Sequence, residues 1–462
     1  MNKDIIKERD KKLKAFKKVI IKHNNDLPTK FKNTYNDIDT NSWFNIHEYS
    51  INDINDRPNN INVNTNFIKK EIITCMKVKM ILNNEQKNIL NKWFDAYTDV
   101  YNEAVKYIKS NYQFTKHNIT KDVFNKNKDD LKIIHDYYKI RKELRLVKKE
   151  IQQKYTHNSK TIYINNLDYA VKQLCSNIAA AKTNLKKNNI KRFRIKYWNK
   201  DRVSKTIDIY GGYIIDNKIV PDLLGDIRYM YNGKDVDLYN MDSDVKINYN
   251  KVTNEYRLLI PIKNINKTTE NKPYNLISLD PGLRTFMTGV SEDGIVKIGK
   301  NVNNIIGESI ERLNNIKNNK YISNKIKKKN ELMINRKIGY KIDDLHWKTK
   351  KYLTQNYKTI LIGDMSSKDI VKKNSSVLNN IQKVACLRTK YYEFTQRLEL
   401  KCQLNNVNYE LIDESYTSKV CSCCGNYNKD LGAAKVYDCK ECKISIDRDA
   451  NGSRNIYIKS RY

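Results

Sequence analysis

The pattern of apolar positions changes from strand-like to helix-like near residue 83. Residues 76–80 alternate apolar and basic side chains, which predicts a strand with one buried face. Asn83 and Gln86 then have the spacing of a capping box, which predicts the start of a helix. Apolar side chains follow at helical spacing, at Leu90, Trp93, Tyr97, Val100, Ala104 and Tyr107. Because helical patterns continue with interruptions to about residue 187, we expect a helical domain over residues 84–189.

Residues 190–272 return to short alternating segments, which lie at residues 206–210, 213–215, 245–249 and 256–262. Alternation over so few residues is typical of half-buried strands. Together with the strand within residues 71–83, these segments predict a small β-barrel or sandwich. The helical domain would interrupt it in sequence.

From residue 273 the pattern is that of an α/β domain. Five apolar strands are predicted, at residues 275–279, 284–290, 295–298, 359–362 and 408–412. Asp293 and Gly294 join the second strand to the third, which is a strong hairpin signal. Helical patterns separate the later strands, and a last helix opens near Asp449. A three-strand meander followed by alternating helix and strand is the order of the RNase H-like fold, so the fold class expected is multidomain α+β.

The first 70 residues have weak periodicity and are predicted to form an accessory arm, flexible in part. Two Asn-rich stretches, residues 24–36 and 52–66, are loop-like. Basic residues crowd the first turns, at Lys11, Lys12, Lys14, Lys17 and Lys18. They predict a basic helix on nucleic acid, a nuclear import signal or simply a solvated charge run.

The net charge of the chain indicates which class of molecule it binds. The 462 residues include 87 Lys and Arg against 52 Asp and Glu, a formal net charge of +35. A field of that sign attracts polyanions and poorly suits acidic small substrates alone. The sequence has no apolar run long enough to span a membrane and no apolar signal core. We therefore expect a soluble, intracellular protein, with a nuclear location open if its host is eukaryotic or its source viral.

The segment between the helical and β regions interleaves cations with aromatic residues, which suits phosphates and bases respectively. An amphipathic strand with a basic exposed face would give the same pattern. The nucleic-acid-binding candidates are Lys191, Arg192, Phe193, Arg194, Lys196, Tyr197 and Trp198.

Four of the nine cysteines form two CxxC pairs separated by 14 residues, at Cys421, Cys424, Cys439 and Cys442. Two such pairs can close a tetrahedral structural zinc site, with no ligand position left for catalysis. Residues 421–442 are therefore predicted to be a zinc ribbon. Cys423 is an extra thiol that could compete with Cys424 for the metal, although its spacing from Cys421 is wrong for a ligand.

Carboxylates stand at the ends of the predicted elements, at Asp280, Asp364, Glu414 and Asp449. Strand ends of one sheet meet at one edge, where α/β sheets build their sites. Clustered carboxylates can hold two Mg²⁺ ions for phosphodiester hydrolysis. Asp447 is interpreted as part of the turn or as a residue behind the metal ligands.

Two motifs resemble those of RuvC-like nucleases. LISLDPGLRTFMTGVSEDG resembles the first motif, and DRDANGSRNI resembles the third. With YTSKVCSCCG and CKEC between the strands and the last helix, the chain resembles the TnpB/Fanzor family of RNA-guided DNA endonucleases from residue 275 to 456. The looser match upstream covers residues 80–105 and 179–198.

The resemblance implies that Asp280 and Asp449 are catalytic metal ligands. In TnpB-like sequences the central strand usually ends with a glutamate, where this chain has Gly363 in LIGDM. Asp364 is one residue away, and a one-residue slip turns a side chain to the other face. Fanzor proteins and some TnpB proteins have an alternative glutamate near the next strand, which implies that Glu414 is the third catalytic ligand.

The resemblance also implies partners and domains. The protein would bind a guide RNA, recognise a short motif beside its double-stranded DNA target and cut both strands with one RuvC site. It would use two Mg²⁺ ions and one structural Zn²⁺ as a monomer within a ribonucleoprotein. The domains would be an arm (1–70), a wedge β-barrel (71–83 and 190–272), a recognition domain (84–189), a RuvC-like nuclease (273–420 and 443–462) and the ribbon.

Two other functions stay open. A transposase or junction resolvase could use the same fold without RNA. The loss of glutamate at Gly363 also fits a transposon-associated nucleic-acid-binding protein or an RNA-guided repressor that does not cleave.

Overall fold

The computed structural model describes residues 3–26, 46–50, 72–156, 159–239, 241, 243–264, 272–291, 294–372, 378–432 and 434–461. The helices are α1 (Lys3–Asp26), α2 (Asn84–Asn111), α3 (Lys121–Lys126), α4 (Asp130–Ile133), α5 (Tyr137–Glu143), α6 (Arg145–Lys154), α7 (Ile164–Lys186), α8 (Pro221–Leu224), α9 (Val302–Asn318), α10 (Asn324–Asn356), α11 (Ser367–Ile370), α12 (Asn380–Arg388), α13 (Tyr391–Leu404) and α14 (Arg448–Arg461). Among them, not one combines the length and apolarity that crossing a bilayer requires.

The strands are β1 (Ile46–Ser50), β2 (Ile72–Ile81), β3 (Ile119–Thr120), β4 (Arg192–Phe193), β5 (Ser204–Ile209), β6 (Ile214–Ile215), β7 (Lys218–Ile219), β8 (Arg228–Tyr231), β9 (Lys234–Asp235), β10 (Val245–Asn250), β11 (Glu255–Asn264), β12 (Tyr274–Pro281), β13 (Thr285–Ser291), β14 (Gly294–Lys300), β15 (Tyr357–Gly363), β16 (Asn408–Ile412), β17 (Val436–Asp438) and β18 (Ser445–Asp447). The chain divides into two units, which we call the middle unit (Ile73–Lys263) and the terminal unit (Met1–Ile72 with Asn264–Tyr462).

The middle unit combines a sheet with the helices inserted after its first strand. The sheet order is β5-β10-β11-β2-β8-β9, so β2 pairs with strands that come more than a hundred residues later. The capping box is present at the start of α2, where the Asn83 side chain accepts from the Gln86 backbone and the Gln86 side chain accepts from the Asn83 backbone. Pairings among the described residues give an open strand order, without the closure that a barrel requires.

The terminal unit is built on a sheet with the order β1-β14-β13-β12-β15-β16. β12, β13 and β14 form an antiparallel meander, whereas β15 and β16 continue from β12 in parallel. Ser291 pairs with Gly294, so the hairpin at this position is confirmed. The sheet therefore combines the meander and the alternating parallel strands that the sequence predicts.

The two faces of β12 pack against different helices. Ile277 and Leu279 belong to the core formed with α9, α10 and α13. On the other face, Leu276 packs with Ile456 of α14. Ser278 shares that face, since its hydroxyl lies 3.2 Å from the Ser453 hydroxyl of α14. By strand alternation, Asp280 also faces α14.

The N-terminal arm contributes regular structure to the terminal unit. β1 pairs antiparallel with β14 at the edge of the sheet. In α1, Phe16 and Ile20 are buried against Val420 and Ile458. The helical spacing of these apolar residues is present in the sequence but is hidden among lysines. Residues 27–36 and 52–66 of the Asn-rich stretches lie outside the described residues.

Candidate active site and metal centre

Three carboxylates predicted as catalytic approach the same edge of the terminal sheet. Asp280 lies at the end of β12, Glu414 follows β16, and Asp449 lies in the first turn of α14. β12, β15 and β16 are parallel neighbours, so their carboxyl ends meet at one edge. Neighbouring strands are about 4.8 Å apart, which keeps these side chains within electrostatic reach of one another.

Asp280 is the central carboxylate of this group. Burial, together with the charges of Asp449 and Glu414, raises its pKa well above the ordinary value for aspartate. Helix α14 can approach it closely because position 452 is a glycine. A Cβ on Gly452 would lie 2.7 Å from Oδ2 of Asp280, which is too close for any real side chain.

Glu414 fills the space that Gly363 leaves open. A Cβ built on Gly363 would lie 3.0 Å from Oε2 of Glu414 and 3.0 Å from Cδ1 of Ile456. The Glu414 side chain thus reaches across from the end of β16 to the end of β15. Burial, Asp364 and Asp413 raise the pKa of Glu414 to about 7. Position 363 therefore accommodates the glutamate of the neighbouring strand.

Asp364 has a different environment from Glu414. Its side chain is exposed, and its backbone amide donates a 2.8 Å hydrogen bond to the Ile412 carbonyl. The Asp364 charge still acts on Glu414, as the direction of the Glu414 pKa shift indicates. Asp364 thus borders the buried carboxylates and is solvated, unlike them.

Asp447, and not Asp449, caps the last helix. Its Oδ1 accepts hydrogen bonds of 3.0 Å from the backbone amides of Asp449 and Ala450, and its Oδ2 accepts one of 2.9 Å from Lys297. Burial and the Asp447 charge raise the pKa of Asp449, while Lys297 opposes this shift. The Asp449 carboxylate is consequently left for a ligand.

Sequence reasoning missed Lys297, Tyr391 and Gly452. Lys297 is a buried lysine in the middle of strand β14, and a charge flanked by the apolar residues Val296 and Ile298 is the signal that could have identified it. The Tyr391 hydroxyl donates a 2.6 Å hydrogen bond to the Gly363 carbonyl and so holds the end of β15. No sequence pattern indicates that contact or the close approach at Gly452.

Two asparagines of the last helix attach it to the segment before the cysteine knuckle. Asn455 Nδ2 donates 2.7 Å hydrogen bonds to the carbonyls of both Thr417 and Val420. Asn451 accepts from the Ser422 amide at 2.9 Å and donates to the Val420 carbonyl at 2.8 Å. The asparagine spacing in DRDANGSRNI therefore has a structural reason.

The four predicted zinc ligands lie together. The sulfur atoms of Cys421, Cys424, Cys439 and Cys442 are all within 4.8 Å of one another. Those of Cys421 and Cys442 are 3.6 Å apart, and those of Cys424 and Cys439 are 3.4 Å apart. Tetrahedral bonds of about 2.3 Å place sulfur atoms about 3.8 Å apart, so the cluster suits one zinc ion.

Cys423 contacts both the cysteine cluster, through a hydrogen bond with the Cys421 side chain, and the last helix. Its sulfur accepts a 3.4 Å hydrogen bond from Nη1 of Arg454 in the last helix. Its position within the knuckle therefore gives it a packing role beside α14.

The basic and aromatic segment between α7 and β5 lies in the middle unit. Lys191, Arg192, Arg194 and Lys196 are exposed, as is the ring of Tyr197, whereas Phe193 is half-buried in β4. The nucleic-acid-binding role of Trp198 stays a prediction. Its ring stacks on Tyr101 at 3.6 Å between centroids, and the Arg202 guanidinium lies 3.8 Å from its centroid. These contacts give the half-buried ring a packing role within the middle unit.

Replacing one clustered cysteine tests the zinc site. Purified protein should contain one zinc per chain by elemental mass spectrometry. Cys421→Ser should lose that zinc and lower the melting temperature, because a structural zinc site stabilises the fold around it. Cys423→Ser is the matched control and should keep the zinc. Equal zinc content in Cys421→Ser and wild type would contradict the assignment.

Neutralising Glu414 should stabilise the protein in buffer without Mg²⁺. Its pKa is raised from 4.5 in the unfolded chain to about 7, so the charged form destabilises the fold at higher pH. The cost of that charge grows between these two pKa values and is constant above pH 7. At pH 8, the free energy of unfolding measured in urea should therefore be about 1–3 kcal/mol higher for Glu414→Gln than for wild type. At pH 4 the two proteins should have nearly equal free energies of unfolding. Glu410→Gln, at an exposed position of β16, is the control. A destabilised Glu414→Gln at pH 8 would contradict the electrostatic account.

Comparison with known proteins agrees with these motifs. The family model described as "Cas12f1-like, TNB domain" matches residues 391–456, which include the four cysteines and the first part of α14. The model described as "Helix-turn-helix domain" matches residues 73–117, which cover β2 and α2. A solved structure, "Cryo-EM structure of the Cas12f1-sgRNA-target DNA complex", aligns at a TM-score of 0.31 and 12% identity over 83% of this chain and 98% of that chain. That score is too low for residue correspondences.

Two viral relatives match most of the chain. TnpB-like protein L79 of Acanthamoeba polyphaga mimivirus is 28% identical over 93% of this chain and 85% of its own length. TnpB-like protein L770 of the same virus is 30% identical over 398 residues, which are 83% of this chain and 72% of the relative. An identity of this level over that share of both proteins means that the chain belongs to the TnpB/Fanzor family of TnpB-like proteins.

Proposed function

We propose that this protein is an RNA-guided, metal-dependent DNA endonuclease whose single active site uses Asp280, Glu414 and Asp449. The observation that carries the proposal is the position of Glu414, whose carboxylate lies where a side chain at position 363 would be. That placement offers the sheet edge its third carboxylate. Membership of the TnpB-like family independently favours a nuclease or transposase-related function.

The strand order supports an RNase H-like, RuvC-type domain. An antiparallel meander whose first strand continues into two parallel neighbours is the arrangement of that fold, and β1 adds a sixth strand beside it. The catalytic carboxylates of such domains stand at the carboxyl end of the first strand, where Asp280 lies. This proposal extends to the division into arm, wedge, recognition domain, nuclease and ribbon.

The donor set fits divalent magnesium. The buried carboxylates raise one another's pKa because their negative charges repel. Bound cations would relieve this repulsion. Among the described residues, only the four cysteines bring a full ligand set within 4.8 Å, so the carboxylates are more widely spread. Asp280, Glu414 and Asp449 would hold the Mg²⁺ ions of a two-metal site.

Bound Mg²⁺ ions would activate the attacking water and stabilise the charge that develops on the phosphate. The chain positions the ligands for this chemistry. Lys297 holds Asp447, which caps α14 and fixes the turn that carries Asp449. Tyr391 holds the Gly363 carbonyl, which keeps the end of β15 in place beside Glu414.

The nucleic-acid partners follow from charge and family. A net charge of +35 supports binding of a guide RNA and a DNA duplex with a short adjacent motif. The exposed cations of the 191–197 segment and Tyr197, 51% exposed, are candidates for contact with either strand. A monomeric protein within a ribonucleoprotein completes the proposal. The repressor alternative depended on a missing glutamate, and the placement of Glu414 beside Gly363 favours cleavage instead.

Cleavage by the natural particle tests the function directly. We would purify the protein from cells that carry its flanking DNA, sequence the bound RNA and supply a matching duplex beside randomised flanks. Wild type should cut this duplex only with Mg²⁺, and Glu414→Ala should abolish cutting while keeping the RNA. Glu410→Ala is the control and should cut normally. Bound RNA without cutting would favour the repressor, and cutting without RNA would favour a protein-only nuclease.

Position 363 provides a second test, based on steric fit. Gly363→Ala places a methyl group 3.0 Å from the Glu414 carboxylate, so that side chain must move. We expect cleavage to slow about 10- to 100-fold, because small displacements of catalytic groups have large effects on rate. Gly339→Ala in α10 is the matched control, since nothing lies within 4 Å of its added Cβ. Equal rates for the two variants would show that Glu414 is not needed where the structure places it.

A further inference from the structure

A basic cavity lies among the helices of the middle unit. It is open to solvent, has a volume of about 310 Å³ and lies between α5, α6 and α7. Its lining includes Tyr138, Arg141, Lys142, Arg145 and Lys148 from α5 and α6, and Asp168 from α7. Tyr138, Arg141, Arg145 and Lys148 recur at intervals of three or four residues, which places them on one side of two consecutive helices, and Lys142 lies next to Arg141.

The charges of this lining do not balance. Asp168 is 5% exposed and forms ion pairs with both Lys148 and Arg141. Lys142 and Arg145 also line the cavity, and neither has an ion pair among the described residues. One carboxylate therefore faces four cations. Like charges this close repel each other, and an anion in the cavity would remove that repulsion.

Two of the cations are fixed in place before any ligand binds. Lys148 is 4% exposed and is held by Asp168. Arg141 contacts Asp168 through Nε at 2.7 Å, which leaves its terminal nitrogens as further donors. A guanidinium held by one edge presents a planar pair of donors, the geometry that matches phosphate oxygens. The Tyr138 ring at the rim is 76% exposed.

We propose that this cavity binds a backbone phosphate of nucleic acid, with Arg141 and Arg145 contacting its oxygens and Tyr138 stacking on an adjoining base or ribose. A cation cluster beside an exposed aromatic ring is the combination that single-stranded nucleic acid uses. The identity of the ligand rests on the proposed function, whereas its anionic character follows from the unbalanced charge of the lining.

The test compares two double variants that remove equal charge. Lys142→Ala with Arg145→Ala removes the two cavity cations that have no ion pair, and Lys139→Ala with Lys149→Ala removes two exposed cations outside the lining. The probes are an oligouridylate and a DNA duplex with the same number of phosphates, used without Mg²⁺. Circular dichroism checks that both variants fold.

The cavity variant should bind about 10-fold more weakly at physiological salt, and its slope of log affinity against log salt should fall by about 1 more than that of the control. Loss with the RNA probe alone assigns the phosphate to RNA, and loss with the duplex alone assigns it to DNA. Equal losses in both variants, or no binding of either probe by wild type, would overturn the proposal.

This outcome is separate from cleavage. If binding depends on the cavity but the protein does not cut DNA, the proposed nuclease function fails and the phosphate site stands. If the protein cuts DNA under RNA guidance but the two double variants bind equally well, the phosphate site fails and the nuclease function stands.

Discussion

The close packing of α14 against β12 is the constraint on which the terminal unit depends. Gly452 lets the helix approach until the Asp280 carboxylate lies where a Cβ would otherwise be. The same helix carries Asp449, so its close packing against β12 also brings the Asp449 carboxylate to that of Asp280. Its asparagines also bind the backbone before the cysteine knuckle. A bulkier residue at position 452 would therefore disturb the sheet, the carboxylates and the ribbon together.

Gathering carboxylates in a buried place opposes folding. Burial and mutual repulsion raise the pKa of Asp280, Glu414 and Asp449, and each raised pKa represents free energy lost when the group ionises. Lys297 opposes part of this shift at Asp449, whereas its ion-pair partner Asp447 adds to it. Proteins commonly keep such destabilising groups of like charges where a ligand binds, because the arrangement that favours activity differs from the one that favours stability.

The sequence was informative wherever one element decides the outcome locally. Alternation identified β2, the capping box identified the start of α2, and cysteine spacing identified the four clustered thiols. Contacts between distant segments were not predictable. The ring of Trp198 stacks on Tyr101, which lies nearly a hundred residues earlier and which no local pattern connects to it. Likewise, β1 joins the sheet through pairing with a strand more than two hundred residues later.

The relation between Gly363 and Glu414 follows from the parallel register of two strands. Gly363 pairs with Ile412, so Glu414 lies two residues past the last pair, where its longer side chain can turn back over the end of β15. That space holds one carboxylate. A glutamate at both positions would clash and repel, and a glutamate at neither would leave Asp280 and Asp449 without a third carboxylate at this edge of the sheet. Exchange between the two arrangements therefore requires both positions to change together, which explains why the glycine and the displaced glutamate occur in one chain.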